Sequence, residues 1–338
     1  MPQLLARNQV LSSLLGLALI FASSSSLAQY QAIKLDSDLS GKALHTDPLL
    51  KNAWGLAYAP TGPFWVSDQA SGWSTLYDGM GNPQSLQVVI PSASGTGQGT
   101  PTGMVYNGST EFKIDTWTSL FLFATLDGTI SGWSSFNPSA ALIGVTSPGS
   151  VYTGLAITNK TSGNFLFAAD SANNKVDIYD ANFNLVKSFT DPVIPSGFAP
   201  FGIQDIKGKV FVSFASTSGG TGGFIDIFGE DGTFLKHFAH GAPLNQPWGF
   251  AVAPANFGTL SNTLLISNNA AAGTINAFDS TGHFVGAITN TLGKTLVISG
   301  LWGIEFGGGT SSNGQKNHLY FTAGPSDTDG FFGVIVPK

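Results

Sequence analysis

Glu305 is the residue in this chain whose position most invites chemistry. Two places after each of six repeated glycines stand Ala57, Val105, Ala156, Gln204, Ala251 and Glu305. A carboxylate in a slot otherwise filled by small apolar groups and one amide needs a partner, a bound ion or a raised pKa, because an unpaired buried charge is costly. A salt bridge or a hydrogen bond to a neighbouring segment is the plainer expectation, and a functional group the sharper one. Asp68, Asp170 and Asn268 end short apolar runs, about one to a repeat. With Glu305 they make a set of oxygen donors suited to Ca²⁺, although Asp and Asn at such places also cap the following loop. Asn52, Asn173, Asn269 and Trp73 lie in the adjoining loops. Amides, carboxylates and aromatic faces together suit a glycan or another polar small molecule.

Other signals fail. Asp327-Thr328-Asp329-Gly330 begins like a calcium loop, but no further acidic ligand follows. The run Ser218–Gly223 lacks the lysine of a phosphate loop, and no G-x-S-x-G elbow occurs. His237 and His240 are three apart on a strand end, which predicts opposite faces. His45 and His240 on separate loops give a weak metal or acid–base hint. No catalytic residue is assigned and no cofactor is evident; Ca²⁺ is the ion the donor set would take.

These residues must be positioned by a repeat. A Trp, Thr or Phe followed by Gly and an apolar residue occurs at Trp54-Gly55, Thr102-Gly103, Thr153-Gly154, Phe201-Gly202, Trp248-Gly249 and Trp302-Gly303, at spacings of 48, 51, 48, 47 and 54 residues. Each unit then shows further short apolar runs separated by Gly-rich loops and tight turns such as Asp78-Gly79 and Asp231-Gly232. The first strand is expected just after the glycine, as at 56–59, and fourth strands at places such as 86–90. The sixth unit ends after three strands, and Tyr30 to Leu35 form a lone strand with no unit of their own. The expected fold is therefore all-β, a six-bladed β-propeller with four antiparallel strands per blade, closed by the N-terminal strand joining the last blade. Blades are expected to start near 52, 100, 151, 199, 246 and 300, within a single domain over 29–338.

Residues 1–28 read as a signal peptide: Arg7 precedes an apolar run from Val10 to Phe21, and Ser26-Leu27-Ala28 offers a cleavage site. The run is too short to span a bilayer, so export to the periplasm or the extracellular space is expected. With 14 basic against 20 acidic residues, nucleic acid is an unsuitable partner. The chain has no cysteine, so its stability rests on core and closure rather than disulfides.

The pattern Gly-apolar-Ala, WVSD at 65–68, FAAD at 167–170 and strands ending IYD at 178–180 and AFD at 277–279 resembles the NHL-type propeller repeat. More narrowly, NAWGLAYAPTGPFWVSD at 52–68 and LYFTAGPSDTDGFFG at 319–333 resemble an uncharacterised family of secreted bacterial propeller proteins. The resemblance implies fold and export and carries over no catalytic residue. Ligands are expected on the face formed by loops leading into first strands and loops between second and third strands; the hairpin-tip face reads as plain. The three Trp-Gly tryptophans are expected to pack between neighbouring blades, which leaves Trp73 the better aromatic ligand candidate. The leading reading is a monomeric binding or interaction module for a polar small molecule, glycan or protein loop. The alternatives are a Ca²⁺-dependent hydrolase or lactonase and a structural envelope protein.

Overall fold

The computed structural model describes residues 29–338. The segment read as a signal peptide lies outside the described residues. Six four-stranded antiparallel units form the ring. The innermost strands are Ala53–Tyr58, Pro101–Tyr106, Tyr152–Ile157, Phe198–Asp205, Pro247–Val252 and Leu301–Phe306. Blade 6 takes its fourth strand from the N-terminus: Tyr30–Ser37 pairs antiparallel with Phe331–Pro337, from Tyr30 opposite Pro337 to Ser37 opposite Phe331. A two-residue strand, His45–Thr46, adds in parallel outside it. Tyr30 is buried and its hydroxyl donates to the Phe257 carbonyl at 2.6 Å, so the closing strand is also anchored to blade 5. Among the described residues no helix is long and apolar enough to cross a membrane.

The repeated glycine sits inside the first strand, not before it. In every blade the ladder between first and second strands slips by one residue at this point, as between Ala53/Leu56 and Leu301/Ile304. That is a β-bulge, which bends the strand where the six blades converge on the axis. The glycine is required there by proximity. A Cβ on Gly202 would lie 1.9 Å from the Trp248 carbonyl oxygen of the next blade, and one on Gly303 would lie 2.8 Å from the Trp54 carbonyl oxygen across the closing seam.

A hydroxyl stitches the same point. Ser213, Ser267 and Thr322, on the second strands, each accept from their own blade's repeat glycine amide and donate to the next blade, to the carbonyls of Pro247, Trp302 and Trp54 respectively. Blades 2 and 3 carry Ala124 and Ala169 at that place, and there Thr102 and Thr153, next to the glycine, donate across the seam instead. In blades 2–6 the hydroxyl thus comes from the first strand where the second carries Ala, and from the second strand where Trp or Phe precedes the glycine; in blade 1 Ser67 holds the same place, but its hydroxyl is buried without a partner.

The fourth strand of blade 1 shortens to Val88–Val89 against the expected 86–90. The apolar core runs around the ring in the seams between blades. The closing seam buries Leu35, Phe64, Tyr77, Tyr320 and Phe332 together.

Candidate functional site

The face expected to hold ligands is closed at its centre. Trp54, Trp248 and Trp302 do not wedge between neighbouring blades; they meet across the axis and plug the channel. Trp54 and Trp302 stack with centroids 3.6 Å apart, and Trp248 lies edge-on to both. Phe201 and Leu126 pack against the cluster. The indole N–H of Trp248 donates to the Thr153 carbonyl at 2.9 Å, so blade 5 is tied to blade 3. The indole N–H of Trp302 donates to Asn52 Oδ1 at 3.3 Å.

The candidates on that face are engaged in holding loops. Asn52 is buried and also donates to Gln69 Oε1 at 2.7 Å. Asp170 accepts from the backbone amides of Val151 and Asn173 and from the Asn173 side chain. Asn268 accepts from the Asn245 amide and donates to the Pro243 carbonyl, and Asn269 donates to the Leu301 carbonyl. Trp73 opens the third strand of blade 1, opposite Asp68 and Val89, and so stands two strands out from the channel. Asp68 is fully buried; its Oδ2 accepts from Thr75, whose hydroxyl also meets Tyr77, which donates to Asp47. Burial holds the Asp68 carboxyl well above the usual range, with the Asp47 and Asp36 charges adding to the rise. Asp68, Asp170 and Asn268 thus serve separate loops and do not converge.

Glu305 lies at the other end. Ala53 pairs with Asp68 at the plugged end, whereas Glu305 stands four residues along the corresponding strand of blade 6, about 13 Å further down at 3.3 Å per residue. There the channel opens into a cavity of about 260 Å³. Its polar lining is Glu305, Gln204, Asp205, Asn159, Tyr58 and Tyr106. The open mouth therefore belongs to the face that reads as plain in the sequence. The reversal has a steric cause: tryptophan before the glycine fills one end of the axis, whereas mostly small residues two places after it leave the other end open.

Among the described residues the Glu305 carboxylate has neither a salt bridge nor a side-chain hydrogen bond, so the expected structural partner is absent. Burial pushes its pKa up to about 7, and only the Phe306 amide opposes the shift. Asp205 is raised by burial too, offset in part by the Gly208 amide, and its Oδ2 is buried without a partner. The Tyr58 phenol is pushed up by burial and by the Glu305 charge. Two carboxyl groups of raised pKa, an amide pair and two phenols in one small cavity can accept hydrogen bonds from a polar guest, or exchange protons with it near neutral pH.

Fold and site together define a six-bladed propeller whose axis is plugged by aromatics at one end and carries an acidic mouth at the other. No protein-family model matches the chain. It belongs to the same family as "Uncharacterized protein R648" of Acanthamoeba polyphaga mimivirus, 30% identical over 329 residues covering 89% of this chain and 78% of the relative. "Uncharacterized protein L690" of the same virus is 30% identical over 345 residues, covering 94% and 88%. The chain is similar in fold to a gluconolactonase from Xanthomonas campestris (TM-score 0.58, 13% identity, 92% and 90% covered). It is similar also to the soluble aldose sugar dehydrogenase of Escherichia coli (TM-score 0.57, 13% identity, 92% and 100% covered). At such identity the likeness concerns the fold alone.

Proposed function

We propose that this protein is a binding propeller that takes a small hydroxyl-rich molecule, of the size of a sugar or polyol, into the mouth containing Glu305. The observation that carries the reading is the Glu305 carboxylate, which faces the cavity with the backbone amide of Phe306 beside it and no side chain of the protein bonded to it. Unpaired carboxylate and amide oxygens are best satisfied by a guest rich in hydroxyl donors, and Tyr58 and Tyr106 supply faces for its apolar side. Raising the pH through about 7 ionises Glu305 and strengthens its acceptor character, so affinity should rise from pH 6 to pH 8. Calorimetric titration with a panel of monosaccharides and polyols tests this. The expected result is saturable binding by the native protein that falls roughly tenfold or more in Glu305→Ala, the loss of about 1.5–3 kcal/mol typical of a hydrogen bond to a charged group. No binding by any member of the panel would sink it.

A hydrolytic reading draws on the second carboxyl in the cavity, since Asp205 and Glu305 could serve as an acid–base pair. The fold is shared with a gluconolactonase, which makes sugar lactones the substrates to try. Lactone turnover that disappears in Glu305→Gln would replace the binding reading. A Ca²⁺-dependent version built on Asp68, Asp170, Asn268 and Glu305 has less support, because these groups occupy opposite ends of the channel.

We further propose export, on the strength of the leader-like residues 1–28. Mass spectrometry of the mature protein should then find Gln29 at its N-terminus; a retained Met1 leader in the folded product would count against it.

A further inference from the structure

Blade 4 carries a polar cluster on its outer half that the channel does not use. Asp226 lies on the third strand, Phe224–Gly229, directly opposite His237 on the fourth strand, Phe234–His240. Asp226 Oδ1 is 2.7 Å from His237 Nδ1. Asp191 joins them from the connection between blades 3 and 4. One donor atom from each of the three lies within 4.8 Å of the others. Asp226 and Asp191 are 0% and 5% exposed; in each the Oδ2 atom is buried with no N–H or hydroxyl donor from the protein, and the two carboxyl groups face each other within hydrogen-bonding reach. Two such oxygens beside an imidazole need a cation or a proton, because a desolvated anion without a partner is strongly disfavoured.

Blade 3 shows what a purely structural solution looks like. Asp177 occupies the same ladder position there, opposite Ser188. It is fully satisfied: Lys175 Nζ approaches at 2.7 and 3.0 Å, the Ser188 hydroxyl donates at 2.5 Å and the Tyr152 hydroxyl at 2.9 Å. In blade 4 the residue two before the aspartate is Phe224 instead of a lysine, the serine is replaced by His237, and Asp191 brings a second carboxylate. The internal cation has been exchanged for a second anion and a nitrogen ligand.

We propose that Asp191, Asp226 and His237 bind a divalent transition-metal ion of the zinc class. Two carboxylates and a neutral imidazole leave two negative charges, which one divalent ion balances. A mixed oxygen and nitrogen donor set suits Zn²⁺ or a neighbouring first-row ion, whereas Ca²⁺ and Mg²⁺ favour oxygen throughout. Three protein donors leave at least one coordination position, and the adjacent cavity of about 190 Å³, walled by Val193, Ile194, Phe224 and His240, gives it room for water or an exogenous ligand. His240 shares this wall with His237 because a bulge between Ile225 and Asp226 resets the strand alternation, against the opposite faces that their spacing predicts.

Equilibrium dialysis of the untagged full-length protein, stripped with chelator and titrated with ZnCl₂, tests the site, with CaCl₂ run in parallel. The expected result is one saturable Zn²⁺ per chain and an upward shift of the thermal midpoint on zinc addition. Asp226→Asn and His237→Gln should each weaken uptake by about 100-fold or more, since losing even an outer-shell partner costs roughly 10–100-fold. Asp279→Asn, which disrupts the exposed Asp279/His283 pair of blade 5, should change nothing. Should Asp226→Asn fail to fold, Asp191→Asn, in the connecting segment, carries the same expectation and circular dichroism verifies its fold. Absence of saturable zinc uptake, uptake unaltered by the substitutions, or tighter binding of Ca²⁺ than of Zn²⁺ would each overturn the assignment.

Discussion

Gly202→Ala is expected to destabilise the protein by more than about 4 kcal/mol, or to prevent folding, which places it among the most severe single substitutions. The added Cβ would lie 1.9 Å from the Trp248 carbonyl oxygen and 2.7 Å from its carbonyl carbon. These are backbone atoms of the neighbouring blade, so no side chain can swing aside to relieve the contact. The seam would have to widen, and in a closed ring that displacement is passed to the other seams. It would also disturb the hydrogen bond from the Gly202 amide to Ser213 and the onward one from Ser213 to Pro247. The other repeat glycines should follow their clearances. Gly103 and Gly55, with nearest atoms at 2.3 and 2.4 Å, should suffer more than Gly154, at 2.9 Å. Gly62→Ala, whose nearest contact is an ordinary 3.4 Å, should be close to neutral. Urea denaturation of the series measures the ranking, and equal losses at Gly62 and Gly202 would refute the proximity argument.

Asp36→Asn should make the protein more stable at pH 8, by about 2–4 kcal/mol, and should remove a fall in stability between pH 4 and pH 7. Asp36 is fully buried on the closing strand; its Oδ1 accepts from the Ser37 amide at 2.7 Å, and its Oδ2 has no partner. Burial pushes its pKa from 3.8 up to about 7, helped by the Asp47 charge and opposed by the Ser37 amide. The folded state therefore holds this proton more tightly than the unfolded chain. The stabilisation is fully present below pH 3.8 and is lost as the pH rises through about 7, at roughly 1.4 kcal/mol per unit in between. Asn keeps the acceptor for Ser37 and cannot ionise. Exposed carboxylates work in the opposite sense; Asp279, for example, is held at about 2 by the Thr281 hydroxyl and the His283 amide. The informative quantity is thus the difference between the variant and native denaturation curves at pH 4.5, 6 and 8. Parallel curves across that range would exclude a buried, neutral Asp36.

The placement of that acid has a functional corollary. Asp36 and Asp68, both raised by burial, lie at the seam where the N-terminal strand closes the ring onto blade 1, so protonating these two is expected to favour closure. Glu305, with a carboxyl raised to a similar degree, makes the opposite demand under the binding proposal, in which it would accept hydrogen bonds best above about pH 7.

The sequence by itself determined the ring. Glycines at near-constant spacing, four apolar runs to a unit, a sixth unit one strand short and an unpaired N-terminal strand leave one economical closure, and Tyr30–Ser37 pairs accordingly. These features are legible because strand period, turn chemistry and repeat length are local properties of the chain. The three tryptophans before the repeat glycines were equally visible, but what they do was not. Whether such a ring packs between blades, faces a ligand or fills the axis depends on how far side chains from blades 1, 5 and 6 reach across a channel whose width no single repeat encodes. That distance closed one mouth and left the other open, so that among the oxygen donors picked from the sequence only Glu305 lines the open cavity. Asp205 and Gln204 join it from blade 4, one unit removed in sequence from the last but one and adjacent only in space. Asp191, Asp226 and His237 have no motif spacing at all. Strand pairing across a bulge sets Asp226 opposite His237 and a blade connection brings in Asp191, and these are facts of tertiary packing.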